Sequence, residues 1–305
     1  MRSVLSFIIL PAIICLLFVN PGSGQTGGGT GLAFLKVGVG GRAGGMGEAF
    51  TAVADDATAT FWNPAGLSYV PKTQLAFTHT EWIQDISSEF VAFAFPALKG
   101  SVGLSIYSNN VGGIERRVQP SEEPLGTVDA NDIAFGVSYG HAFSSRLSGG
   151  ITIKYLYEKI FIESAAGFAA DFGLSLRPFE NDLTVAITAQ NLGSMGTLKD
   201  ESIDLPTTVR VGASYRLPLP SLEGDLLLAA DAVNVRDTDL RGNLGAELQL
   251  QRLFAFRFGY QTGFDDKSVG GGLGVLFKKY RLDYGFASFG SNLGDTHRIS
   301  IGLEL

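Results

Sequence analysis

The sequence predicts an all-β fold, a transmembrane antiparallel β-barrel of about 14 strands. Three observations predict it. A two-residue hydrophobic period runs from about residue 73 to the end. Beyond an N-terminal leader, no apolar stretch reaches the ~20 residues that a spanning helix needs. The connections between periodic segments alternate between tight and long.

The leader comes first. Arg2 supplies a positive start, Val4 to Val19 is almost unbroken apolar sequence, and Pro21-Gly22-Ser23-Gly24 offers small residues before Gln25. This is the pattern of a cleaved signal peptide, here residues 1–24. The rival, an uncleaved anchor, is disfavoured because the run is short and holds Pro11. Cys15, the single cysteine, lies within that run and leaves with it. Thiol catalysis, disulfides and thiolate metal sites are thereby removed. A chain destined for a membrane without spanning helices must close its strands, since only helices and barrels satisfy every backbone group in lipid.

The periodic part follows. Phe254, Phe256, Phe258 and Tyr260 alternate with Ala255, Arg257, Gly259 and Gln261, and Ile299, Ile301, Leu303 and Leu305 with Arg298, Ser300, Gly302 and Glu304. Successive strand residues face opposite sides, so each segment has an apolar face and a polar or glycine face. The predicted strands are 73–80, 89–96, 100–108, 129–143, 147–160, 167–177, 183–191, 207–217, 224–235, 240–250, 253–262, 270–277, 280–288 and 296–305. A β-sandwich also alternates. Against it stand segments near the 9–11 residues of a tilted spanning strand. The polar faces also carry Lys154, Asp171, Arg210, Glu247, Arg257, Asp283, Arg298 and Glu304, which a lumen accommodates and a sandwich core does not. Tight connections such as Ser144-Ser145, Gln251-Arg252 and Lys278-Lys279 follow the even strands, as periplasmic turns do. On this facing, arginine is costly at Phe256 or Ile301 and tolerated at Ser300. Trp62, Tyr69, Trp82, Tyr107, Tyr157, Tyr215, Tyr260 and Tyr280 fall near strand ends and read as interfacial girdles.

The net charge of −7 disfavours nucleic acid, whose phosphates need clustered Lys and Arg. Gly38-x-Gly40-x-x-Ala43 lacks the strand–helix setting of a dinucleotide loop. His79, His141 and His297 are scattered, and no Gly-x-Ser-x-Gly elbow occurs. No catalytic residue, metal ligand or cofactor is therefore assigned. Asp55-Asp56 is an acid-pair or cation-site candidate. The structural alternative is a pairing of one carboxylate with a lumenal arginine, with Arg42, Arg210 and Arg257 all open as partners.

The segment from Gly38 to Leu67 breaks the period. It carries Gly41-Arg42-Ala43, Ala54-Asp55-Asp56-Ala57 and Asn63-Pro64-Ala65 in that order. This resembles the N-terminal signature of the PorV/PorQ family and, more distantly, the hatch of FadL-type fatty-acid channels. The resemblance implies an outer-membrane barrel with residues 25–72 folded inward as a plug and residues 73–305 as the wall. PorV-type members serve type IX secretion, which implies a translocon, a surface-processing partner or a cargo C-terminal domain as partners beside outer-membrane lipid. FadL-type members pass hydrophobic solutes through a gap in the wall. The expected function is thus export or surface attachment, with uptake of a hydrophobic ligand as the alternative.

Overall fold

Alternation along the chain becomes a closed wall. The computed structural model describes residues 30–83, 86–117, 123–179, 182–199, 201–263, 267–289 and 294–305, so the predicted leader lies outside the described residues. Fourteen strands form the barrel, each antiparallel to its neighbours. The first seven are β1 (Gln74–Glu81), β2 (Ile86–Ala97), β3 (Gly100–Arg116), β4 (Gly126–Ala142), β5 (Leu147–Ile160), β6 (Glu163–Phe179) and β7 (Leu183–Met195). A two-residue ladder, β8 (Thr197–Leu198) and β9 (Glu201–Ser202), stands outside the sheet. The wall resumes with β10 (Thr208–Leu219), β11 (Gly224–Val235), β12 (Arg241–Leu250), β13 (Phe254–Thr262), β14 (Lys267–Phe277), β15 (Tyr280–Phe289) and β16 (Asp295–Glu304). Closure comes from β1 against β16, where Phe77 faces Ile301. The fourteen-stranded sheet has no unpaired edge, as a wall in lipid requires.

The connections sort by end. Tight turns join β2–β3, β12–β13 and β14–β15 on the side where β16 ends, the periplasmic side. Leu98, Lys99, Gln251 and Arg252 hold φ of 55°, 64°, 50° and 49° there. Two-residue hairpins demand this positive φ because it matches the strand twist. Connections at the other, external end are mostly longer, with the two-residue Phe161-Ile162 link an exception. Several strands overrun their predicted ends externally. β3 continues to Arg116 rather than stopping at 108. Asn109 to Gly113 carries no apolar alternation, so it reads as a loop, yet Asn109 to Val111 keep the ladder, with Asn110 bonding Asn131 across it at 2.8 Å, and pairing resumes at Ile114 after a bulge.

The outer face is a continuous apolar belt. Leu104, Phe135, Ile153, Phe172, Ile187, Val211, Leu244, Phe256, Leu273, Leu282 and Ile301 are exposed large hydrophobics on eleven of the fourteen wall strands. A soluble monomer does not carry such a patch, whereas lipid covers it. Among the described residues no helix is long and apolar enough to cross a membrane.

The inner face corrects two expectations. It packs against residues 30–72. Ser300 accepts a 2.7 Å bond from the Gly41 N–H and shares one of 2.9 Å with Thr78, so it has no room for arginine. Of the aromatics read as girdles, Trp62 and Tyr107 are buried inside and Tyr69 bonds Ser148 and Ser175 on the inner wall. Trp62 and Tyr69 precede the first strand, so strand-end position says nothing of them. Tyr107 shares its side of β3 with the other inward residues, which the period alone indicates.

Candidate functional site

The candidate site is the lumen together with the segment that fills it. Residues 30–72 enter near the external end, where the Gly31 N–H bonds the Asp204 carbonyl at 3.0 Å. They leave at the periplasmic end, where Leu305 bonds the Thr73 carbonyl beside β1. Between these points the backbone circles the inner wall, meeting the strands in descending order. Gly41 lies on β15 and β16, Gly45 on β14, Gly47 on β13 and Met46 on β12. Thr51 then meets Asp231 of β11, and Ala52 accepts a bond from Ser214 of β10. Phe61 accepts from Gln190 of β7, Asn63 meets Gly173 of β6, Pro64 meets Gly150 of β5, and Val70 accepts from Ser101 of β3.

This route explains the glycines of the strands. A side-chain carbon at Gly150 would collide with the carbonyl carbon of Pro64, and one at Gly259 with the backbone of Gly47. Glycine in a strand interior marks such a backbone approach. Gly150→Val should cost about 1–3 kcal/mol through overpacking. Because the clash is with the hatch, residues 30–72 should become protease-sensitive while the barrel survives. Limited proteolysis beside a thermal melt checks both.

Charge fixes the hatch from the other side. Arg42 grips Glu247 of β12 through two bonds of 2.9 and 2.8 Å and reaches Asp55 at 2.7 Å. Arg257 adds a 2.6 Å bond to the same Glu247 and lies 2.8 Å from Asp283. Arg281 bonds Asp283 at 2.7 Å and approaches Asp56 at 3.9 Å. Burial works against a charge on Asp55, but Arg42 and then Arg281 outweigh it and hold its carboxyl below the usual carboxylate range. A second tie joins Arg298 to Glu48 at 2.7 Å. In a third, Asp231 accepts the N–H groups of Phe50 and Thr51 at 3.0 and 2.9 Å and the Thr51 hydroxyl at 2.7 Å.

The other residues singled out from sequence have definite places. Gly41, Ala43, Asn63, Pro64 and Ala65 are buried in the hatch. Asn63 donates to the Thr51 carbonyl at 2.9 Å and accepts from the Ala65 N–H at 3.1 Å, which closes the turn. Asp56 mainly accepts from Thr58 within the hatch. Lys154 pairs with Asp171 at 2.7 Å and donates to Asn191 at 2.7 Å. Arg210 lies 5.1 Å over the Trp62 ring and donates to Gln190 at 3.2 Å. Glu304 has inward parity but sits half-exposed at the periplasmic mouth, paired with Lys72 at 2.6 Å. Three carriers of the network, Glu48, Asp231 and Arg281, escape the sequence reading. Arg281 was legible, since it stands two residues before Asp283 on the same face. A bulge between β6 and β7 turns both Gln190 and Asn191 inward, with Asn191 at φ 58°. Strict alternation hides such a pair.

The lumen divides by chemistry. Its periplasmic half holds the ion network, flanked by cavities of about 220 and 190 Å³ that share Arg42 and Arg281. Beyond it lies an apolar cluster, interleaved with buried polar groups such as Asn191, Arg210, Asp231 and Arg298. Leu32, Phe34, Leu35, Phe61, Phe90, Tyr107, Leu156 and Leu205 belong to one buried cluster. Tyr107 meets Phe34 at 4.9 Å, Phe61 at 5.8 Å and Phe90 at 5.9 Å between ring centres.

A closed fourteen-stranded wall with an apolar belt and a filled lumen defines a bacterial outer-membrane barrel of FadL-like architecture. Residues 22–154 match the model of an uncharacterised protein family, UPF0164. No curated protein sequence matches the chain. The chain is similar to the solved structure of the CymD monoaromatic hydrocarbon channel, with 12% identity over 88% of this chain and 98% of that one and a TM-score of 0.65. For the Pseudomonas putida toluene transporter TodX the values are 11%, 87%, 96% and 0.59. For a Pseudomonas aeruginosa FadL homologue they are 9%, 87%, 98% and 0.56. At such identities the likeness is one of fold.

Proposed function

We propose that the protein is a hatch-closed channel admitting hydrophobic small molecules through the bacterial outer membrane. The observation that carries this reading is an apolar, aromatic compartment inside a lumen otherwise sealed by the chain's own N-terminal segment. A general porin needs a wet passage, whereas residues 30–72 pack across this lumen from β16 round to β3. The fold likeness to hydrocarbon channels supports the same reading. The export reading, with a type IX translocon or cargo as partner, rests on the hatch motif alone, and the hatch motif serves a channel equally well. Residues without a nucleophile–base set give no support to an enzyme.

The test is uptake. Expression in a host stripped of its own hydrophobic-solute channels should accelerate entry of radiolabelled toluene or oleate relative to an empty vector. Unchanged entry of both, combined with recovery of secretion components in a pulldown, would transfer the assignment to export. Deletion of residues 38–67 should raise conductance in planar bilayers, because these residues pack across the inner wall from β16 round to β5. Unaltered conductance would show that the segment does not close the pore.

A further inference from the structure

The apolar belt narrows on one side of the barrel. On β13 its outward residues run Phe254, Phe256, Phe258 and Tyr260, whereas on β1 Leu75 and Phe77 give way to His79 and Glu81. The strands beside β1 do the same. Toward the external end, Val91 is followed by Glu89 on β2, Ile106 by Ser108 on β3, and Ile299 by His297 on β16. These side chains share the parity of the outer residues, while their neighbours Thr80, Ser88, Tyr107 and Arg298 are buried inside. His79 Nδ1 lies 3.2 Å from Glu89 Oε1, and Ser108 donates to Glu89 Oε2 at 3.3 Å. His297 Nδ1 meets the Tyr284 hydroxyl at 2.8 Å.

The height of this row is the height of the belt. Glu89 and Ser108 stand as far from the periplasmic ends of their strands as Tyr155 does on β5. Glu81 and His297 stand as far up as Phe135 and Phe172, and His79 stands lower. At ~3.3 Å per residue and a tilt of about 40°, the row lies about 20 Å up an apolar band about 25 Å tall. The wall behind it is closed. Glu81 pairs with His297, His79 with Glu89, and Glu89 with Ser108, in unbroken registers from β16 to β3. Two acids and two histidines therefore face the bilayer with a sheet at their backs. Hydrocarbon offers them no partner, and ionisable groups at membrane depth face protein or water instead. Among the described residues no other strand sets an acid or a histidine on its outer face at this level.

We infer that this face is the contact between two copies of the chain, related by a two-fold axis along the membrane normal at β1. The layout of the polar groups selects a second copy as the occupant. A two-fold contact is self-complementary, so a strand on one side of the axis meets the strand equally far on the other. β16 of one copy thus meets β2 of the other, and His297 meets the partner's Glu89 at the same height. The pairing occurs twice. His297 Nε2 carries no bond among the described residues, and the Glu89 side chain is half-exposed, so both have capacity for it. Glu81 and its copy stand at the axis with a His297 on either side. Below them Phe77 meets its own copy. Five strands, β15 to β3, at about 4.8 Å spacing over a band about 25 Å tall offer about 600 Å² per copy. The total of about 1,200 Å² reaches the lower bound of a stable specific interface. Each lumen keeps its own hatch, so the contact stands independently of what the lumen carries.

The test is cysteine cross-linking of the full-length protein in isolated outer membranes, in a Cys15→Ser background. Phe77→Cys, at the axis, should give a disulfide-linked dimer on oxidation. Phe256→Cys, far round the wall on β13, should give none. Adding Glu89→Leu to Phe77→Cys should cut the dimer at least about tenfold, because each cross-contact loses one member. His297→Leu should do the same. Equal cross-linking through Phe77→Cys and Phe256→Cys reports random collision and overturns the interface. A dimer that neither leucine variant weakens overturns the pairing of the polar row. Should Phe77→Cys fail to assemble, native mass spectrometry of the wild type in mild detergent decides. A mass of two chains supports the inference. One chain alone, one chain with bound lipopolysaccharide, or one chain with a different protein overturns it.

Discussion

Glu247→Ala should destabilise the folded protein by about 3–5 kcal/mol, the range for removing one member of a buried ion pair. The carboxylate is buried and serves two guanidinium groups at once, Arg42 through two bonds and Arg257 through one of 2.6 Å. Its loss leaves both cations short of a partner in a largely buried site. Each keeps one acid, Asp55 for Arg42 and Asp283 for Arg257, so the effect belongs at the lower end of the range. Glu247→Gln should recover little, since its amide N–H₂ would point at a guanidinium. The hatch should feel the change before the wall does, because Arg42 is the hatch's own residue and β12 keeps its backbone ladder on both sides. Urea unfolding from lipid vesicles measures the total. A double-mutant cycle with Arg42→Met isolates the share that crosses from hatch to wall. A loss under about 1 kcal/mol, the value of an exposed pair, would mean that water reaches the network.

The wall was legible because lipid imposes a strict rule. Every second residue of Phe254 to Tyr260 or Ile299 to Leu305 must be apolar, and tight turns such as Gln251-Arg252 must follow the even strands. Closure and strand number follow from those two facts. The interior was less legible because no comparable rule governs it. Alternation places Lys154, Arg257 and Asp283 inward but cannot say that Arg257 chooses Glu247 and Asp283. For Asp55 three arginines were open, and only the circling path of the hatch brings Arg42 to it. Asp56 turns to Arg281, which was not among them. Phe34 and Phe61 lie outside any period, so the aromatic compartment had no signature at all. The hatch motif was readable as a unit, yet what it implied about export came from resemblance. The channel reading grew instead from what the motif residues enclose.

Ser300→Arg and Ile301→Arg, neighbours in one strand, should both be costly for opposite reasons. Ile301 is half exposed on the outer face, opposite Phe77 of β1 and Leu282 of β15. Arginine there meets hydrocarbon and should cost about 2–4 kcal/mol at the bilayer midplane, less toward an interface. Phe256→Arg on β13, opposite Leu248 and Leu273, should behave alike. At Ser300 the chain meets the hatch instead. The side chain would drive into Gly41, whose N–H bonds the serine oxygen at 2.7 Å, and would bring a cation beside Arg298 and Arg281. The two kinds of cost separate on deleting residues 38–67. Removal of the hatch should relieve Ser300→Arg almost completely, because the arginine then faces water in an open lumen. It should leave Ile301→Arg and Phe256→Arg unchanged, because lipid still touches them. Folding titrations of each variant with and without the hatch read this directly. Relief of all three alike would mean that the outer belt does not face lipid, and relief of none that the hatch does not occupy the lumen.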